Sequence, residues 1–478
     1  MKIITIKHSI WLNIIAIIVW SCSMNKNKVQ QNIEVFVTTA DQKFLFSKQN
    51  NLLTLLEQPF DSITLQIDTN NELQTIEGFG YCLTGASAQL LNSLNETAKS
   101  NLLHELFDLD SGNLKLSYIR VSIGSSDLDT AVFSYDDLPF GSTDLPLENF
   151  SLAKDKLNLI PILKEILSIN PNLKIIGSPW SAPAWMKSNH KTSGGALLTK
   201  YYATYATYFV KYIQSMKAEG ININAVTIQN EPEHPGNNPA MVMTWQEQSN
   251  FIENYLGPAF EQNKINTEIF IYDHNCDHPD YPINILNNIK ANKYITGSAF
   301  HLYVGNESAL TKVHNAHPNK KIFFTEQWTG SKSNFKEDFL WHLEHVIIGT
   351  LNNFSQTAIE WNLISNQNCS LHTPGGCNEC MGALTIEDGR VQKRNVSYYL
   401  LNHISPFISY GSKRIQHQLT GTSASKTTDV SFLTCKNSNG KIVVVVLNKG
   451  NNKSIGINIQ NSNWMLNLPA ESAVTINL

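Results

Sequence analysis

What this chain has little of narrows its class before any motif is read. Charged residues fill only 16% of its 478 positions and the formal net charge is −4, so there is no basic field for a polyanion and no nucleic-acid partner is expected. The apolar run near the start, residues 10–20, is about half the roughly 20 residues that a membrane-spanning helix needs. No repeat of solenoid period and no long low-complexity tract occurs. Cysteine is sparse, at seven residues, and only one CxxC pair is present, Cys377-Asn-Glu-Cys380, with Cys369 and His372 nearby. A structural zinc site would normally draw on a second such pair. A local disulfide or free thiols are therefore the expected state, and neither metal nor cofactor is expected.

What is present describes an ordered globular protein, with 42% apolar and 10% aromatic residues, long enough for one large domain and a smaller module. Lys2 and Lys7 precede the short apolar run, which ends in Val19-Trp20-Ser21-Cys22. That ending resembles a bacterial lipobox, although Trp20 is an unusual occupant. Residues 1–22 are expected to be an export signal with Cys22 lipidated, an ordinary cleaved signal or an uncleaved anchor being the alternatives. Residues 23–31 would form a polar tether, and the protein would sit in the periplasm or at the cell surface.

Between residues 86 and 404, short β-rich runs alternate with amphipathic helical stretches such as 197–218 and 245–255. Eight runs can be counted, at 75–83, 116–124, 173–180, 225–231, 268–275, 295–303, 321–327 and 358–363. The pattern predicts an α/β fold, a closed (β/α)8 TIM barrel over 75–407. The flanks, 32–74 and 408–478, instead alternate apolar and polar residues between Asn, Gly and Ser turns. Neither flank has enough strands alone. Both chain ends are therefore expected to meet in one accessory antiparallel β-sandwich.

In such a barrel, functional side chains sit at the C-terminal ends of the strands. The fourth run ends in Gln229-Asn230-Glu231-Pro232 and the seventh in Thr325-Glu326-Gln327-Trp328. A single strand-end glutamate is most often a structural residue. Two at one barrel mouth are what glycoside hydrolysis requires, one to protonate the leaving oxygen and one to attack or to activate water. Asn230 is placed to hydrogen-bond a sugar 2-hydroxyl. Arg120 is expected to pair with Glu326 and keep it ionised. His301 and Tyr303 are expected to line the same mouth.

Seven motifs together resemble glycoside hydrolase family 30, the glucosylceramidase family. They are Glu77-Gly78-Phe79-Gly80, Ile119-Arg120-Val121, the run from Ser178 to Lys187, Asn230-Glu231-Pro232, His301-Leu302-Tyr303, Thr325-Glu326 and Glu360-Trp361-Asn362. The resemblance implies a retaining β-glycosidase with Glu231 as acid/base, Glu326 as nucleophile, and Asp127, Trp180, Asn230 and Trp361 in contact with a glucosyl ring. Trp180 and Trp361 would offer flat faces to that ring. The family acts on glucosylceramide, β-1,6-glucan, xylan and galactan. The Cys- and Gly-rich segment 367–383 looks more like the microbial β-1,6-glucanase branch, so a β-glucan or β-glucoside is the expected partner. A sphingolipid substrate and a non-catalytic carbohydrate-binding barrel are the alternatives.

Overall fold

The computed structural model describes residues 33–110, 112–424, 428–460 and 462–478; the expected signal, Cys22 and the tether lie outside them. Eight parallel strands build the barrel: β1 (Gly78–Cys82), β2 (Tyr118–Ser122), β3 (Lys174–Ser178), β4 (Ala225–Thr227), β5 (Glu268–Cys276), β6 (Gly297–Gly305), β7 (Lys321–Glu326) and β8 (Thr357–Asn362). Each pairs with its sequence neighbour from β1 to β7, and β8 pairs with β1. The remaining seam, β7 to β8, is bridged by Gln356 N–H to the Ile322 carbonyl and Trp361 N–H to the Gln327 carbonyl, both 2.8 Å. The strands are buried on both faces, which is why they read as apolar runs rather than as alternating ones.

Crossover helices cover the outside. Leu159–Ile169 buries Leu159, Ile162, Leu163 and Ile166, the spacing of one helical face. The expected helix 197–218 is a short 3₁₀ turn, Thr199–Tyr201, leading into Tyr202–Ala218. At the β1–β2 contact the strands lie so close that a Cβ on Gly80 would sit 1.8 Å from the Tyr118 carbonyl oxygen. The glycines of the Glu77-Gly78-Phe79-Gly80 motif are thus a packing requirement.

Glu34–Thr39 and Thr64–Thr75, from before the barrel, join six strands from after it. Glu34–Thr39 pairs antiparallel with Ser472–Asn477 along its whole length. Thr64–Thr75 lies between Lys413–Thr420 and Lys453–Ile459, parallel to the latter. Lys413–Thr420 touches Val430–Lys436 only at two residue pairs, where the ladder passes from one layer to the other. Val37, Leu65, Ile415, Val444, Ile457 and Ile476 meet between the layers. Leu433, Val443, Val445 and Ala473 point the other way, into the barrel's own core. His403, fully buried, spans that junction, with its ring nitrogens 2.8 Å from the Thr475 and Thr38 hydroxyls.

Candidate active site

The barrel interior is layered with the strand period of two. Tyr118, Ile176, Ala225, Ala299, Phe323 and Ile359 form an apolar plug with Phe270. Two residues further along each strand come Arg120, Ser178, Thr227, His301, Thr325 and Trp361, a polar layer facing the mouth. On β5 the same count would give Tyr272. The β5–β6 register slips by one between Ala299 and Phe300, with Tyr272 at φ 73° and Asp273 at φ 63°, and this bulge brings Asp273 inward instead.

Asp273 is the hub of the layer. Its Oδ2 accepts from Arg120 Nη2 (2.9 Å), Ser178 Oγ (2.7 Å) and Thr227 Oγ1 (2.7 Å), and its Oδ1 from Thr325 Oγ1 (2.7 Å) and His301 Nε2 (3.1 Å). Burial alone would raise its carboxyl, but the Arg120 charge and these bonds hold it well below the usual carboxylate range. The sequence reading missed Asp273, although a carboxylate near a strand end is the signal that found Glu231.

Glu231 and Glu326 come together on this base. Glu231, Glu326 and His301 each place one ligating atom within 4.8 Å of the others. Retaining glycosidases hold their carboxyls about 5 to 5.5 Å apart, whereas inverting ones leave roughly 6.5 to 9.5 Å for a water. Strand β4 ends at Thr227, four residues before Glu231, because the chain already turns: Glu231 adopts φ 47°, its N–H donates to the Asp273 carbonyl, and its own carbonyl accepts from His234 N–H. Asn237 Nδ2 donates to Glu231 Oε2 at 3.1 Å, a contact that sequence reasoning had no signal to find. Glu326 lies past a second slip of register, between Phe300 and His301 on β6.

The two carboxyls are close enough to influence each other, and their hydrogen-bond partners differ. Arg120 Nη1 donates to Glu326 Oε2 at 2.5 Å and the Tyr303 hydroxyl to Oε1 at 2.9 Å. A guanidinium cannot take a proton back, so Glu326 is the ionised member. Glu231 instead meets the Asn237 amide and the more distant His301, 3.4 Å away. Burial works against a charge on His301, yet Glu326 and the bonds to Asp273 and Glu231 push the imidazole up to about 9. Among the described residues these three form the one cluster tight enough for a metal ion, and Arg120 already supplies the positive charge there.

The expected ring contacts surround the pair. Arg120 Nη2 donates to Asn230 Oδ1 at 2.7 Å, which leaves the amide N–H₂ of Asn230 to face a ligand. Trp180 and Trp361 each turn one face toward the other. Their rings stack on each other, centroids 5.2 Å apart, with the Arg120 guanidinium 4.8 Å from the Trp180 ring. Both rings are buried, at 2% and 3% exposure. Asp127 Oδ2 accepts from Cys377 N–H at 3.1 Å; burial first, then the charge of Glu326, raises its carboxyl to about 7. Cys377 and Cys380 form a disulfide, and Cys369 is a buried free thiol.

Comparison with known proteins agrees with this geometry. The glycosyl hydrolase family 30 TIM-barrel domain matches residues 76–408, and the family's beta sandwich domain matches 411–476. The chain belongs to glycosyl hydrolase family 30. An endo-1,6-β-D-glucanase of Aspergillus fumigatus is 33% identical over 86% of this chain and 87% of its own length. The lysosomal acid glucosylceramidase of Mus musculus is 28% identical over 81% of this chain and 77% of its own. A solved endo-β-1,6-glucanase structure superposes with a TM-score of 0.84, at 31% identity, over 93% of this chain and 98% of that one. This family-30 protein is a retaining glycoside hydrolase, and one oxygen of Glu231 lies within 4.8 Å of one of Glu326.

Proposed function

We propose that this family-30 hydrolase is an exported β-1,6-glucanase, anchored through a lipid on Cys22, in which Glu326 is the nucleophile and Glu231 the acid/base. The observation that carries the catalytic reading is the closeness of the two carboxyls, one oxygen of each lying within 4.8 Å of the other, with the Arg120 guanidinium on Glu326 and not on Glu231. The glucan reading is supported by the endo-1,6-β-glucanases among its relatives, and the anchor by the lipobox-like ending at Cys22.

The ionised Glu326 attacks the anomeric carbon as Glu231 gives its proton to the departing glycosidic oxygen, forming a glycosyl-enzyme ester. Glu231, now a carboxylate, takes a proton from water, which displaces Glu326 and restores the starting state. Arg120 and Tyr303 hold Glu326 in place for attack, while the Asn230 amide meets the sugar 2-hydroxyl. Asp127 takes hydrogen bonds from hydroxyls on the far side of the ring. Incubation with β-1,6-glucan, β-1,3-glucan, xylan and glucosylceramide tests the substrate. Short β-1,6-linked oligosaccharides are the expected products; release of ceramide with β-1,6-glucan left intact would refute the glucan reading.

A further inference from the structure

The segment after β8 is fastened to Asp127 from two directions. Thr373 N–H donates to the Asp127 carbonyl at 2.9 Å, and Cys377 N–H donates to its Oδ2 carboxylate oxygen at 3.1 Å. Between these bonds, Gly376 is pressed so close that a Cβ there would lie 2.4 Å from the Asp127 carbonyl oxygen. The other end of the segment is tied to the nucleophile's side of the site. Cys380 pairs with Gly330, four residues past Glu326, and its carbonyl accepts from Asn362 Nδ2 at the end of β8 at 3.1 Å. The Cys377–Cys380 bond joins these two halves and packs against Trp180, Trp361 and Leu128.

We infer that the Cys377–Cys380 disulfide is a positioning element for sugar recognition, holding the Cys377 N–H on the Asp127 carboxylate and so fixing that carboxylate against the ring. A bridge across three residues closes too short a loop to contribute much stability through chain entropy. Its location accounts for it better: it converts a Gly- and Pro-rich segment into a rigid donor. The inference rests on the reading that Asp127 binds the glucosyl ring. Asp127 is faced by Glu231, Glu326, Asp129 and Tyr303, and the Cys377 N–H is the main contact drawing its raised carboxyl back down.

The test is a double-mutant cycle on 4-nitrophenyl β-D-glucoside, combining Asp127→Asn with Cys377→Ala/Cys380→Ala, alongside gentle reduction of the folded wild-type enzyme by a phosphine. Opening the disulfide is expected to raise KM about tenfold, with kcat changed far less, as for loss of one charge-assisted contact. The acid limb of the kcat/KM profile should move to higher pH, which a purely structural staple would not cause. In the Asp127→Asn background both effects should vanish, because the disulfide then has no carboxylate to place. Additive effects, or a silent disulfide variant beside a strongly impaired Asp127→Asn, would overturn the inference alone. A silent Asp127→Asn would overturn the sugar-binding reading of Asp127 and the inference with it. If the alanine variant fails to fold, reduction of the native protein takes its place in the cycle, with the same outcomes expected.

Discussion

Asp273 and His301 share a hydrogen bond of 3.1 Å, and through it a fully buried carboxylate adds to the pull of Glu326 on an imidazole lying 3.4 Å from Glu231 and 3.7 Å from Glu326. Replacing Asp273 by Asn is expected to lower kcat/KM by about a hundredfold, since Arg120 and His301 both lose their anchor. The buried guanidinium would keep only Glu326 as a carboxylate partner, so stability should fall by about 3 kcal/mol. Steady-state kinetics beside a denaturant titration would show both, and an active, fully stable variant would remove Asp273 from the machinery.

The two glutamates should respond differently to replacement. Glu326→Gln leaves no group to form the glycosyl-enzyme, so turnover should fall at least about 10⁴-fold even with a dinitrophenyl leaving group. Glu231→Gln loses proton donation, which a dinitrophenolate does not need. Its slow step becomes deglycosylation, and added azide should restore turnover and yield a β-glycosyl azide. A β-glycosyl azide from the Glu326 variant, with no such product from the Glu231 variant, would show that the roles are exchanged.

Close approach of β1 and β2 makes Gly80 intolerant of any side chain. Gly80→Ala is expected to destabilise the protein by at least about 3 kcal/mol, because the new methyl meets the Tyr118 backbone rather than a movable side chain. A melting temperature within about 2 °C of the wild type would contradict that packing.

Acid should loosen the junction between barrel and sandwich. Burial pushes the His403 imidazole down to about 3 from its ordinary 6.5, so between those values the unfolded chain binds a proton that the folded one refuses. Stability from this group is complete above about pH 6.5 and is lost as pH falls toward 3, with a slope of at most about 1.4 kcal/mol per pH unit. His403→Gln should flatten that part of the curve. Denaturant titrations of both proteins from pH 7 to pH 4 would reveal the difference, and parallel curves would refute it.

The barrel was legible because each strand is an apolar run closed by polar residues, and Glu231 and Glu326 stood at two of those ends. Asp273 was not, for a physical reason: strict alternation from Phe270 assigns the inward position to Tyr272, and only the bulge reverses it. Lys413–Thr420 carries only Ile415 and Leu419 as apolar residues, and its order comes from the neighbouring strand Thr64–Thr75. The Trp180–Trp361 stack depends on bringing β3 and β8 across the mouth, which no local pattern encodes. A lone CxxC suits a thiol pair and a bridge equally well. What chose the bridge was the place of the loop beside Asp127.

The strand Glu34–Thr39 has its only full-length partner in Ser472–Asn477, and the Glu34–Asn477 contact joins positions 443 residues apart. During synthesis that early strand must therefore wait, with one edge unpaired, until the strand more than 400 residues later has emerged. That ladder cannot form before residues 472–477 have been made. Loss of Ser472–Asn477 would leave Glu34–Thr39 only its two-residue pairing with Ser47–Lys48 and would bare one backbone edge of Ile442–Asn448, the kind of surface that quality-control proteases read.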